Sequence, residues 1–147
     1  MGFLRRLFSF WKKRENTEEI TRQEERRSFF LYIVRVPEIV TYLRREQGIS
    51  RKNLELTLVD DAERPAYQIV QIAELLTADL NLLYIVTGRP EIFEELAEEA
   101  MEERGLLIVV FEEAPGERMP GNLALDIREW EKHLDIINTV SYNTMII

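Results

Sequence analysis

The chain has 147 residues, 46% of them apolar and 31% charged, with six glycines, five prolines and no cysteine. That length holds one ordinary domain with a core of its own. The missing cysteines exclude disulfides, thiolate metal sites and a cysteine nucleophile, with an intracellular address as the default expectation.

The net charge of −8 is unevenly spread, because Arg5, Arg6, Lys12, Lys13 and Arg14 give the first fourteen residues +5 and leave −13 on the remainder. An acidic body is repelled by nucleic-acid phosphates, so no nucleic-acid partner is expected. The first element is MGFLRRLFSFWKKR, in which Phe3, Leu4, Leu7, Phe8 and Trp11 recur at i, i+3, i+4, i+7 and i+8. Helical spacing gathers them on one face and sends Arg5, Arg6, Ser9, Lys12 and Lys13 to the other. A helix so divided lies in the headgroup layer of an anionic membrane, where apolar burial adds to about 1 kcal/mol per basic residue. Residues 1–14 are therefore expected to be a membrane-surface anchor made by these residues and Arg14, at the cytoplasmic, inner face of a membrane. The competing expectation is that the same face packs on the protein's own core, or on a second copy by self-association through the N-terminal helix. Arginines interrupt the stretch as a signal peptide would not allow, and no apolar run in the chain reaches the eighteen or so residues of a spanning helix.

Residues 15–28, ENTEEITRQEERRS, read as a charged linker or solvated helix. The expected α/β domain occupies 29–147. FFLYIVRV (29–36) reads as a strand, and PEIVTYLRREQG as a helix opened by Pro37 and stopped by Gly48. LELTLVDD, NLLYIVTG, LLIVVFEE and NLALDI read as further strands. PAYQIVQIAELLTA and PEIFEELAEEAMEERG read as the helices between them, the second burying Ile92, Phe93, Leu96, Ala97 and Ala100 behind a face of glutamates. A loop at EAPGERMPGN, a short helix around REWEKHL and a final strand-like IINTVSYNTMII complete the series. Apolar strands alternating with helices predict a three-layer, doubly wound, mainly parallel sheet of about five to six strands, Rossmann- or flavodoxin-like. Residues 30–61 and 82–113 share LYIV, then PEI, a glycine, an apolar strand and an acidic pair, which predicts two βαβ units.

In open α/β sheets, ligands bind beyond the carboxyl ends of the strands. Asp60, Asp61, Glu112 and Asp126 are placed there, and converging carboxylates could hold Mg²⁺ through oxygen. The same acids could equally serve as helix caps and dipole partners. Thr87, Gly88 and Arg89 form a candidate phosphate site, with Gly88 allowing close approach, Pro90 opening a helix and Arg89 offering a bidentate contact. A turn glycine beside a surface arginine is the alternative. The chain contains no G-x-G-x-x-G, no Walker lysine and no G-x-S-x-G. His133 is the single histidine and reads as a packed or surface residue.

EIVTYLRREQGIS and IAELLTADLNLLYIVTGRPE resemble the first and last helices of phage-repressor-type helix-turn-helix domains, and that resemblance implies operator-DNA binding. LELTLVDDAERP, between the two pieces, is too short to supply the second and recognition helices of that family, and the acidic balance is wrong for DNA. The expected function is a peripheral membrane-associated α/β module that binds, scaffolds or regulates a protein partner. The alternative is a phosphate- or nucleotide-binding enzyme or sensor with its site at the carboxyl edge.

Overall fold

A computed structural model describes residues 2–112 and 118–136, and describes the side chains of these except 2–5 and 7–16. The chain divides into two units, Met1–Tyr32 and Ile33–Ile147. Helix α1 runs over Gly2–Glu46. The strands are β1 (Leu56–Val59), β2 (Leu82–Val86), β3 (Leu107–Phe111) and β4 (Leu123–Asp126), and the helices between them are α2 (Ala66–Thr77) and α3 (Glu94–Arg104). Short 3-10 turns occupy Arg51–Asn53, Pro90–Phe93 and Ile127–Glu129. The last of these continues as helix over 130–136.

The fold is α/β, built on a four-stranded sheet in the order β3-β2-β1-β4. Every neighbouring pair is parallel. Expectation and structure part company at residues 29–36. FFLYIVRV is not a strand; it lies inside α1, and Pro37, expected to open a helix, sits within one. The reason is spacing. Phe29, Tyr32, Ile33, Val36, Ile39 and Val40 are all buried, and they recur at intervals of three and four, which is a helical stripe. Burying those side chains at about 1.5–3 kcal/mol each exceeds the roughly 3 kcal/mol that an interior proline costs a helix. The Thr41 hydroxyl donates to the Pro37 carbonyl, 3.0 Å away.

The strand count is accordingly four among the described residues, where five to six were expected. The first of the two repeats is helix followed by strand rather than βαβ; the second, 82–113, is β2-α3-β3. The strand LELTLVDD also separates the two pieces likened to a repressor domain, so the helix-turn-helix reading fails. Of the expected final strand, 136–147, Ile136 ends a helix and residues 137–147 lie outside the described residues.

Register shows how the sheet is covered. Leu56, Leu83, Ile108 and Leu123 stand side by side on one face with Leu58, Ile85 and Leu125, and all seven are buried. The opposite face is closed over β1, where Thr57 and Val59 are buried. It is half-open over β2 and β3, where Leu82, Tyr84, Val86, Val109 and Phe111 are half-buried and Leu107 is 47% exposed.

At the amino edge the segment before β4 is clasped to β1. Asn122 Oδ1 accepts from the Glu55 N–H at 2.8 Å, Asn122 Nδ2 donates to the Asn53 carbonyl at 2.7 Å, and the Thr57 hydroxyl donates to the Pro120 carbonyl. Gly121 permits this approach. Its φ is +80°, and an added Cβ would meet the Glu55 carbonyl oxygen. Gly121→Ala is therefore expected to lower stability by about 2 kcal/mol or more in urea unfolding. Gly88→Ala is expected to be near neutral, because a Cβ there meets nothing within 4 Å.

Candidate functional site at the carboxyl edge of the sheet

Parallel register brings the residues after β1, β2 and β4 together. Val59 stands opposite both Val86 and Asp126, so Asp60 follows directly beside Thr87. The backbone continues the ladder for one further step on each strand: the Asp60 N–H donates to the Val86 carbonyl and the Thr87 N–H to the Phe111 carbonyl, both at 2.9 Å.

The Asp60 side chain is 1% exposed, so its charge needs a partner. It has two. The Thr87 hydroxyl donates to Oδ2 at 2.7 Å, and Arg89 makes a two-pronged contact, Nε to Oδ2 at 2.8 Å and Nη2 to Oδ1 at 3.0 Å. Arg89 Nη2 also donates to the Asp61 carbonyl at 3.1 Å, while the Arg89 N–H closes a turn onto the Thr87 hydroxyl at 3.0 Å. The hydrogen bond to Asp60 raises the Arg89 guanidinium above its ordinary, already high pKa, against the opposing effect of burial. The guanidinium fork expected to meet a phosphate is thus engaged by a carboxylate of the chain itself. Pro90 opens a 3-10 turn of four residues, Pro90–Phe93, before α3 begins.

The other two acids at this edge have arginines of their own. Asp61 accepts from the Glu63 N–H at 3.1 Å and lies 3.8 Å from Arg64 Nε. The Arg64 guanidinium is 5.0 Å from the centre of the Trp130 ring, a cation–π distance. Asp126 caps the turn that follows β4: its Oδ1 accepts from the Arg128 N–H at 3.0 Å and from Arg128 Nε at 2.9 Å, and its Oδ2 from Nη2 at 2.7 Å. Burial pushes the Asp126 carboxyl up, but the hydrogen bonds and charge of Arg128 outweigh it and hold the group below the usual carboxylate range. Glu112 is set apart, following β3 at the side of the sheet with β2 between it and β1.

Three acids matched by three arginines form a set of ion pairs, and among the described residues no three acidic or imidazole groups gather to hold a metal ion. Thr87, Arg89 and Asp60 are brought into one knot. Glu112 is not part of it, and Gly88 is exposed beside it. Arg64, Arg128 and Trp130 belong to this edge and escaped sequence reasoning; His133, read from the sequence as a packed or surface residue, is buried near them. Asp61 with Arg64 three residues on and Asp126 with Arg128 two residues on were the local signals for two of them. Two cavities open at the amino edge, one of 280 Å³ beside Arg44, Arg51 and Leu76 and one of 350 Å³ beside Lys52, Asn53 and Asn81.

The anchor residues of 1–14 have helical backbone from Gly2 onward, but of their side chains only Arg6, which is exposed, is among those described. Comparison with protein-family models, curated proteins and solved structures gave no match.

Two outcomes follow from the charges. Arg89→Ala leaves the Asp60 carboxylate buried and without its cation, and is expected to cost about 3 kcal/mol or more in urea unfolding; replacing Asp60 and Arg89 together by leucine is expected to cost less than Arg89→Ala alone. His133 is buried, and burial pushes its imidazole below the ordinary value against the pull of Glu129 and Asp126. As pH falls below about 6.5 the unfolded chain therefore takes up a proton that the folded chain does not. Stability is expected to decline between about pH 7 and pH 5, and His133→Gln to flatten that slope in urea melts.

Proposed function

We propose that the protein is a peripheral membrane protein whose α/β domain binds or scaffolds a protein partner. The observation that carries the second half of this reading is the engagement of Arg89 by Asp60, which commits the best phosphate-binding turn in the chain to an internal role. The first half rests on the amphipathic pattern of residues 1–14 together with a backbone that is helical from Gly2, the condition that pattern requires. No helix among the described residues is long and apolar enough to cross a membrane, so attachment is read as lying on the surface. The location is the cytoplasmic face, where anionic lipid attracts the five basic residues.

The domain is read as a doubly wound, three-layer unit of Rossmann type. Support comes from the order β3-β2-β1-β4, in which the chain builds outward from β1 to β3 and then returns to the other side of β1. Right-handed crossovers put α2 and α3 on one face of such a sheet, in keeping with the contact between them. The exposed glutamates of α3, among them Glu98, Glu99 and Glu102, offer a basic partner an acidic surface that would steer its approach.

Co-sedimentation with vesicles tests the membrane reading. The full chain is expected to pellet with phosphatidylserine-containing vesicles, less so as salt rises, and to stay in the supernatant with neutral vesicles; Phe8→Glu with Trp11→Glu is expected to abolish pelleting. An intact chain that remains in the supernatant with anionic vesicles rejects the anchor. Thermal melting with ATP and Mg²⁺ tests the other half. An interaction module shows no shift, whereas stabilisation by several degrees that disappears in Arg89→Ala identifies a phosphate-binding protein.

A further inference from the structure

Among the described residues, strand β3, Leu107–Phe111, forms one side of the sheet and has β2 as its neighbour. Its ladder fixes which of its backbone groups face outward. The Leu107 N–H donates to the Asn81 carbonyl at 3.3 Å, and the Phe111 carbonyl accepts from the Thr87 N–H at 2.9 Å. Residues 107, 109 and 111 therefore turn their backbone toward β2. Alternation along a strand directs the N–H and C=O of Ile108 and Val110 away from the sheet.

Those two residues lie symmetrically about Val109. We propose that β3 joins two copies of this chain, antiparallel, about a two-fold axis at Val109, and extends each four-stranded sheet into the other. In that register Ile108 faces the second copy's Val110 and exchanges both backbone hydrogen bonds with it. The symmetric pair repeats this, giving four bonds from the outward groups of the two strands. Antiparallel pairing of a strand with itself is the closed, isologous arrangement that two-fold dimers require.

The side chains fit the same partner. Leu107, 47% exposed, comes opposite the second copy's Phe111, an aliphatic-aromatic cross-strand pair. Phe111 already lies 6.1 Å from the Tyr84 ring, so the half-open apolar face over β2 and β3 continues across the axis. The sequence LIVVF contains no charge and no proline, two of the devices by which sheet edges are kept apart. The chain as a whole carries −8, and an uncharged strand lets two acidic copies meet without burying a carboxylate. Long-range repulsion between the copies remains, so added salt strengthens this association, opposite to its effect on membrane binding.

Sedimentation equilibrium over a hundredfold range of concentration tests the dimer. It is run on the full chain and on the Phe8→Glu, Trp11→Glu variant, so that association through the N-terminal helix is separated from association through β3. Both proteins are expected to dimerise. Val110→Pro deletes an outward N–H that the sheet itself does not use, and is expected to weaken dimerisation by about tenfold or more with the circular dichroism spectrum retained. Leu107→Glu alters an exposed side chain only, and is expected to weaken it comparably, which keeps the test decisive should the proline variant fail to fold. A chain that is monomeric throughout, dimerisation that Phe8→Glu with Trp11→Glu abolishes, or a dimer unaffected by Leu107→Glu overturns the proposal.

Discussion

A carboxylate withdrawn from water between two parallel strands is the constraint around which the carboxyl edge is organised. Asp60, at the end of β1, has almost no exposed surface, and a bare charge in that position would cost several kcal/mol. Arg89 reaches it from the end of β2 with two guanidinium nitrogens, and Thr87 adds a hydroxyl. Each partner is fixed in turn. The Thr87 oxygen accepts from the Arg89 N–H, and the same guanidinium holds the Asp61 carbonyl. The path of the chain from β2 into Pro90–Phe93 is thereby set by electrostatics at its first residues and by apolar burial, with Phe93 wholly enclosed, at its last.

Much of the fold was legible. The strands now numbered β1 to β4 and the helices α2 and α3 stand where apolar runs and helical spacing placed them. The failure at residues 31–34 shows what such runs leave undecided. The tetrapeptide LYIV occurs twice, at 31–34 within α1 and at 83–86 within β2. Its composition favours a strand in both places. Residues 83–86 are bounded by Asn81 and Gly88 and lie between two parallel neighbours. Residues 31–34 continue a charged helical segment, and of the four only Tyr32 and Ile33 are buried, in helical step with the buried Val36, Ile39 and Val40, while Leu31 and Val34 are exposed. Tertiary burial at helical intervals overrode both local propensity and Pro37.

The candidate site was legible by position and not by state. Asp60, Asp61, Asp126 and the 87–89 turn do lie at the carboxyl edge, because parallel strands with short turns leave their following residues there. Whether those acids are open to a ligand depends on which arginine reaches which carboxylate. The Asp60–Arg89 pair spans 29 residues of sequence, and a single chain carries no local mark of such a contact. The pairs Asp61–Arg64 and Asp126–Arg128 are local, and their spacing could have been used.

The position of β1 bears on how the molecule is made. It lies between β2, which begins 23 residues after β1 ends, and β4, which begins 64 residues after β1 ends. A chain emerging from the ribosome at roughly 5–20 residues per second completes one flank of β1 within a few seconds and leaves the other waiting for several seconds more. During that interval Leu56 and Leu58, which end wholly buried, belong to an open edge able to pair with the wrong strand. The clasp of Asn122 and Gly121 on Glu55 lies just ahead of β4. Pairing with β4 closes that edge, so nascent chains halted before residue 123 would be held in the vulnerable state.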